Sequence, residues 1–183
     1  MSRKYKVYHS EIPHFVSFSV VNWIDLFTRS EYSEIVINSL SYCISEKGLI
    51  LNAWCIMTNH IHLIIRSETN QLQDIIRDMK KFTSKKLIRS IRENPRESRK
   101  NWLLWMFKRE GDKNSNNSDY QFWQQHNHPI ELSTNEMIND RLEYLHMNPV
   151  KAGFVEKPQD WINSSASQYA GLSGEIELEL IQY

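Results

Sequence analysis

The fold can be predicted outward from one segment of the chain, Asn52-Ala-Trp-Cys-Ile-Met-Thr-Asn-His-Ile-His-Leu-Ile-Ile-Arg66. Two apolar runs flank a polar Thr-Asn turn, so this stretch predicts two antiparallel strands, over 49–57 and 60–66, joined as a hairpin. Successive residues of a strand point to opposite faces of a sheet. His60 and His62 therefore share one face of the second strand, and the apolar residues that alternate with them share the other.

Two imidazoles on one strand face can bind the same divalent cation, and a cation held there can polarise a phosphate oxygen. The same pattern also occurs in strands that bind nothing, and two ligands rarely complete a metal site. A site built on His60 and His62 requires a third ligand from elsewhere in the chain.

Outside the hairpin, hydrophobic periodicity and turn residues predict the remaining elements. They are a strand over 14–21, a helix over 30–46, a helix over 71–94, a helix over 99–109, a strand within 120–132 and a helix over 133–147. In the last helix, Ser133 and Glu136 match a capping box. The order predicts an α+β fold of the ferredoxin-like kind, an antiparallel sheet with helices packed on one face. In that topology the strand with the histidine pair is central, and its open face can host a site.

Length and composition are typical of one globular domain. The 183 residues contain two cysteines, Cys43 and Cys55, which are too few for a disulfide framework and favour a reducing compartment. The first residues have no apolar core of a signal peptide, and no run is long enough to span a bilayer. We therefore expect a cytoplasmic protein that does not associate with membranes.

Charge is balanced overall but not along the chain. There are 22 basic and 22 acidic residues, yet the segment 77–100 holds ten Lys or Arg and three acids, a net charge of +7. Such a segment is typical of proteins that track a phosphate backbone. A solvated helix face with paired charges has the same composition, and the sequence alone leaves both interpretations open.

The last predicted helix carries Tyr144 and Asn148 four residues apart, so the two side chains lie on one helix face. Leu142 and Leu145 point elsewhere, which means that Tyr144 need not belong to the core. Tyrosines on helices are often half-buried with the hydroxyl in water and no further role.

Two phrases, Asn59-His60-Ile61-His62 and Tyr144-Leu-His-Met-Asn-Pro-Val-Lys-Ala-Gly153, together resemble the single-tyrosine HUH transposases of insertion sequences, and in particular the REP-associated tyrosine transposases. His-apolar-His alone is weakly specific, whereas the two phrases in this order and spacing are strongly specific. The resemblance runs from about 15 to 171 and includes Phe122-Trp123-Gln124. It implies one transposase-like domain over 1–183, with a variable insert around 95–120 and a C-terminal extension from about 150.

The resemblance also implies residue roles. His60, His62 and Asn148 would bind a divalent metal, Mg²⁺ or Mn²⁺, and Tyr144 would attack a DNA phosphodiester to leave a 5′-phosphotyrosine and a free 3′-OH. The implied substrate is single-stranded DNA near a hairpin, and relatives act as homodimers. The candidate track for the DNA backbone is the basic helix, through Lys80, Lys81, Lys85, Lys86 and Arg89.

Two alternatives stay open at this stage. One is a domesticated module that binds hairpin DNA without cutting it. The other is a metal hydrolase in which water replaces Tyr144 as the nucleophile. His126, His128 and His146 are further imidazoles that the sequence places near the presumed site, without a defined role.

Overall fold

The computed structural model describes residues 7–113, 119–125 and 128–181. The strands are β1 (His14–Ser19), β2 (Ile50–Ile56), β3 (His60–Arg66) and β4 (Ile130–Glu131); the α-helices are α1 (Ser30–Lys47), α2 (Leu72–Glu93), α3 (Lys100–Asp112), α4 (Asn135–Lys151) and α5 (Ala166–Tyr169); short 3₁₀ helices span Val21–Trp23 and Pro158–Asp160. The strands form one antiparallel sheet in the order β2-β3-β1-β4. This is the ferredoxin-like order, and the predicted α+β fold is confirmed.

The register of the hairpin gives β3 its two different faces. β3 lies between β2 and β1, with Cys55 opposite His62 on one side and Ser17 opposite His62 on the other. The alternating residues Ile61, Leu63 and Ile65 join the main apolar core. The predicted division of this strand into a histidine face and a core face is therefore confirmed.

Helices α1 and α2 pack over the core face of the sheet. The buried residues of α2 follow helical spacing: Leu72, Ile75, Ile76, Met79, Thr83, Leu87, Ile88 and Ile91. From the sequence, the apolar side chain and helical spacing of Phe82 predict that it belongs to this stripe as well, but in the structure Phe82 is 57% exposed. The stripe advances by four residues after Met79, so Thr83 occupies the inward position and Phe82 turns to the surface.

Helix α4 packs on the opposite face of the sheet. The prediction of helices on one face thus describes α1 and α2 but not α4. A second apolar cluster explains the difference, because the histidine face also carries apolar side chains whose burial stabilises the fold. The cluster consists of Phe15, Ala53, Cys55, Met57 and Ile64 from the sheet side, packed with Leu132, Leu142 and Leu145. The patch covers only part of this face and leaves a polar strip along β1 and β3.

The ends of α4 differ from the sequence prediction. The N-cap is Thr134, whose Oγ1 accepts from the backbone N–H of Met137 at 3.2 Å, so the capping box at Ser133 is wrong by one residue. The helix also continues through Pro149, and it ends where Gly153 adopts a φ of +76° and the N–H of Phe154 donates to the carbonyl of Pro149. The region around Pro149 therefore stays helical, one turn beyond the predicted end.

The chain after α4 runs along the outer edge of β2. The N–H of Ile56 donates to the carbonyl of Asn163, and the N–H of Ser165 donates to that of Trp54. The indole Nε1 of Trp161 donates to the Ile56 carbonyl at 3.0 Å. These bonds satisfy backbone groups that an exposed edge strand would offer to other chains. Within the three described ranges, no helix has the length and apolarity to cross a membrane.

Candidate active site

The two histidines of β3 have their Nδ1 atoms engaged and their Nε2 atoms turned to the site. Oγ of Ser17 lies 2.7 Å from Nδ1 of His62, and Oδ1 of Asn59 lies 2.7 Å from Nδ1 of His60. An amide oxygen only accepts, so Nδ1 of His60 carries the proton and its Nε2 has a free lone pair. The imidazole rings are 4.7 Å apart, centroid to centroid.

The orientation of the Asn59 amide is fixed by its other contacts. Its Nδ2 donates to Oδ1 of Asp25 at 2.9 Å and to the carbonyl of Trp23 at 3.3 Å, and both partners only accept. The amide oxygen must therefore face His60. A hydrogen-bonded chain from Asp25 through Asn59 thus sets the tautomer of His60, the arrangement that metal-binding histidines commonly have.

Helix α4 brings Tyr144 and Asn148 to the histidines. Nδ2 of Asn148 lies 3.3 Å from Nε2 of His62, and the Tyr144 ring packs edge-on to the His62 imidazole at 5.4 Å between centroids. Phe15 stacks on His62 with ring centroids 5.3 Å apart and packs edge-on against Tyr144 at 5.9 Å, so the three rings contact one another. Because Leu142 and Leu145 anchor the helix, Tyr144 lies on the rim and remains 39% exposed.

The site holds neutral imidazoles within a positive surrounding. Burial lowers the pKa of His62 to about 3, helped by the neighbouring His60 and by the charge of Arg141, and burial also lowers the pKa of His60. Both rings are therefore unprotonated at neutral pH, the form that binds a metal. The Lys151 ammonium lies 6.0 Å from the Tyr144 ring centroid, and the Arg141 guanidinium lies 5.3 Å from that of Phe15.

A divalent metal fits the donors present. No three His, Cys, Asp or Glu side chains come together as a metal site among the residues that the structure describes, so a third protein ligand must be of another type. Asn148 lies with its amide Nδ2 3.3 Å from Nε2 of His62, and a turn of the same amide would present its oxygen to a bound cation. Two imidazoles and one amide oxygen suit Mn²⁺, and Mg²⁺ when water and phosphate oxygens complete its shell.

The basic residues of α2 divide between two grooves. Lys80, Lys81, Lys85 and Arg89 line a groove of about 680 Å³ between α2 and the segment 119–125, together with Arg92. Lys86 lies instead on the side of α2 that faces α1. Lys80 is partly buried in its groove, where Nζ donates to the Gln124 carbonyl at 3.1 Å and lies over the Phe18 ring, and burial lowers its pKa to about 8.

Of the additional histidines, the structure turns His146 away from this site. His146 points under α4, where its Nε2 lies 2.8 Å from Oγ of Ser165. His128 is exposed just before β4. His126 lies outside the described residues.

Sequence reasoning missed several side chains that surround the histidines. Ser17 could have been found from strand pairing, since β1 places it on the same face of the sheet as His60 and His62. Arg141 and Lys151 fall three residues before and seven after Tyr144, so helical spacing places them on its face. The contact of Trp23 with His60 has no sequence signal, because it depends on the path of the loop after β1.

Fold and site together define an α+β protein whose central strand carries a histidine pair next to a helical tyrosine. The chain belongs to the IS200-like transposase family, whose model, described as "Transposase IS200 like", matches residues 14–109. The matched region includes His60, His62 and the basic helix, but ends before Tyr144. No protein among the curated sequences matches this chain.

Two solved structures align with this chain. A REP-associated tyrosine transposase bound to a REP hairpin aligns over 100% of this chain and 95% of that chain, with a TM-score of 0.65 and 16% identity. A bacterial tRNA(His) guanylyltransferase-like protein in complex with GTP aligns over 80% of this chain and 67% of that chain, with a TM-score of 0.42 and 12% identity. The first likeness is one of fold, over the whole length of this chain.

Proposed function

We propose that this member of the IS200-like transposase family is a metal-dependent endonuclease and strand transferase for single-stranded DNA, cutting near hairpins through a 5′-phosphotyrosine. The main support is the exposed Tyr144 beside His62 in the same chain, with ring centroids 5.4 Å apart. Nδ2 of Asn148, one helical turn further along α4, lies 3.3 Å from Nε2 of the same imidazole.

His60, His62 and Asn148 are the proposed ligands of Mg²⁺ or Mn²⁺. When bound, the cation would act as a Lewis acid on a non-bridging phosphate oxygen and hold the scissile phosphate. Asn59 would keep His60 in the tautomer that this requires, and Ser17, whose hydroxyl can donate or accept, would hold the ring of His62 in place.

Tyr144 is the proposed nucleophile. Its Oη forms a bond to phosphorus as the bond from phosphorus to the upstream 3′-oxygen breaks, and the leaving oxygen takes up a proton to become a 3′-OH. The phosphotyrosine retains the energy of the broken ester, so a 3′-OH can attack it and rejoin the strand. Arg141 and Lys151, on the same face of α4, place positive charge where the phosphate would lie.

Single-stranded DNA beside a hairpin is the proposed substrate. Support comes from the basic groove along α2 and from the similar fold of a transposase solved with a REP hairpin. Lys81, Lys85 and Arg89 are exposed on the groove side and would contact phosphates there. A single domain over 1–183, a cytoplasmic location and a homodimer remain predictions. The contact of Tyr144 with His62 within one chain favours cleavage in cis.

Covalent trapping tests the proposal directly. Purified protein with Mg²⁺ or Mn²⁺ is incubated with a labelled pool of hairpin-bearing single-stranded DNAs and run on a denaturing gel beside Tyr144→Phe. Tyr42→Phe is the matched control, because Tyr42 is an exposed tyrosine on α1, over the other face of the sheet. We expect a labelled protein band from the wild type and from Tyr42→Phe, and none from Tyr144→Phe.

Other outcomes identify the alternatives. Metal-dependent cleavage without an adduct, in wild type and Tyr144→Phe alike, would favour a hydrolase that uses water. DNA binding in a native gel without cleavage of any DNA in the pool would favour a domesticated binding module. Either result would contradict the tyrosine mechanism.

A further inference from the structure

The loop after β1 has an unusual backbone beside the histidines. Asn22 and Trp23 adopt φ values of +55° and +53°, and these are the only non-glycine residues with positive φ in the described parts of the chain. A bulky residue in the left-handed region is a strained outlier, and such strain persists only where surrounding contacts enforce it. Here the buried Val21 and Ile24 hold the loop on either side.

The hairpin turn fixes this loop relative to the candidate active site. The N–H of Val20 donates to the Asn59 carbonyl at 2.9 Å, and that of Phe27 donates to the Thr58 carbonyl at 2.8 Å. Nδ2 of Asn59 also donates to the Trp23 carbonyl, while Oδ1 of the same amide faces His60. One side chain therefore sets the positions of Trp23 and of a proposed metal ligand together.

The strained backbone turns the Trp23 side chain outward. The indole is 57% exposed and belongs to neither apolar cluster of the described residues. It lies edge-on to His60 with ring centroids 5.8 Å apart. The rings along this face contact one another in the order Trp23, His60, His62, Tyr144. Trp23 thus lies at the end of the site opposite to the proposed nucleophile.

We propose that Trp23 is a stacking platform for one nucleobase next to the scissile phosphate. This inference rests on the proposed function and names a part of its substrate site. Single-stranded DNA presents base faces that a duplex hides, and an exposed indole stacks on any of the four bases. With the phosphate between the histidines and Tyr144, the neighbouring nucleotide would extend over His60 to Trp23. The platform would hold the strand in register without reading its sequence.

Stacking on an aromatic side chain contributes about 1–3 kcal/mol per base, equivalent to about 5- to 150-fold in affinity. The test uses Tyr144→Phe protein with Mg²⁺, so that binding is measured without cleavage. The probe is a labelled DNA with a hairpin stem and a single-stranded flank, in which one abasic site is moved along the flank. Affinity is measured for this parent protein, for Trp23→Ala and for Trp23→Tyr. Trp105→Ala is the matched control, because Trp105 on α3 is 55% exposed and stacks with Arg109.

We expect Trp23→Ala to bind the intact DNA about 5- to 150-fold more weakly, and Trp23→Tyr and Trp105→Ala to bind it nearly as the parent does. One abasic position should weaken the parent by a similar factor and should weaken Trp23→Ala no further. Equal affinity of Trp23→Ala and the parent would overturn the platform. The platform would also be overturned if, at every abasic position, the loss of affinity from Trp23→Ala added to the loss from the missing base, because Trp23 would then contact none of these bases.

The two proposals fail in different ways. A covalent adduct through Tyr144 with no effect of Trp23→Ala would overturn the platform and leave the proposed function standing. The expected coupling between Trp23 and one base, without any adduct from the wild type, would support the platform and contradict the cleavage mechanism. Absence of any binding to single-stranded or hairpin DNA would overturn both.

Discussion

The two faces of the central strand β3 differ in what covers them. On one face Ile61, Leu63 and Ile65 are fully enclosed by α1 and α2. On the other face α4 covers Ile64 but leaves His60 at the edge of solvent, and it reaches His62 with Asn148. Residues that are adjacent in sequence therefore lie alternately in the packed core and at the candidate active site.

The two faces show how the fold separates the residues that stabilise it from those of the candidate active site. The enclosed face contributes hydrophobic burial and makes β3 rigid, and a rigid strand can hold two imidazoles at a fixed spacing. The other face tolerates polar groups because Ser17 and Asn59 satisfy the histidine nitrogens. A shift of β3 by one residue would exchange the two faces, which would disrupt the packing of the core and the arrangement of the candidate site.

The largest expected contrast is between two neighbours on β3. His62→Ala should reduce metal-dependent cleavage by about 10²–10³-fold, since several kcal/mol of transition-state stabilisation depend on the metal ligands. Leu63→Ala should instead lower the free energy of unfolding by about 2–5 kcal/mol, because it leaves a cavity in a fully buried position. Cleavage rates and denaturant unfolding of both variants check this.

As controls, DNA binding is measured for His62→Ala and cleavage is measured for Leu63→Ala. His62→Ala should still bind DNA, and folded Leu63→Ala at low temperature should still cleave. A His62→Ala protein with full metal-dependent activity would remove the histidine face from the proposed chemistry.

The sequence predicted the parts of this comparison that depend on local periodicity. The bounds of β3 agree with the prediction at both ends, and those of α1 and α2 agree within one residue. These elements are predictable because strand alternation and helical periodicity depend only on the local order of apolar and polar residues. The capping box at Ser133 was wrong because adjacent Ser and Thr offer equivalent caps, and only the entry path of the chain selects Thr134. The predicted end of α4 was too early because a proline locally disfavours a helix. In the structure Pro149 is buried, and its packing keeps this part of the chain helical.

The candidate site was less predictable than the fold. His60, His62, Tyr144 and Asn148 meet in the structure, although nothing in the spacing of two segments about 80 residues apart sets that distance. The resemblance to a family brought them together in the prediction. The contact of Trp23 with His60 depends on the path of a loop and becomes visible only once the chain is folded. Lys86 lies on a different side of α2 from Lys85 because successive residues of a helix face different directions, and only the packing of α1 and of the segment 119–125 shows which groove each side lines.

Acid should destabilise the α4 side of the sheet. Burial lowers the pKa of His146 to about 4, compared with about 6.5 in an unfolded chain. The unfolded state therefore binds a proton that the folded state excludes, so stability is complete above about pH 6.5 and falls as the pH drops towards 4. The loss that this group adds should reach about 3 kcal/mol.

The measurement is the free energy of unfolding against pH for the wild type and for His146→Asn. The difference between them at pH 8 gives the cost of the lost packing and of the bond to Ser165. As the pH falls from about 6.5 to 4, that difference should shrink. A constant difference over this range would show that His146 does not contribute to acid lability.

The smallest expected effect separates two adjacent lysines at the border of the core. Lys85 lines the groove with Lys81 and Arg89, whereas Lys86 lies on the α1 side of the same helix. If the groove carries the DNA backbone, Lys85→Gln should weaken binding and reduce the slope of log K against log salt by about 0.7–0.9, the value for one lost phosphate contact. Lys86→Gln is the matched control, with the same change of charge one residue away, and should leave the slope unchanged. Equal slope changes for both variants would mean that DNA responds to the overall charge of α2, and the groove would then lose its role as the path of the strand.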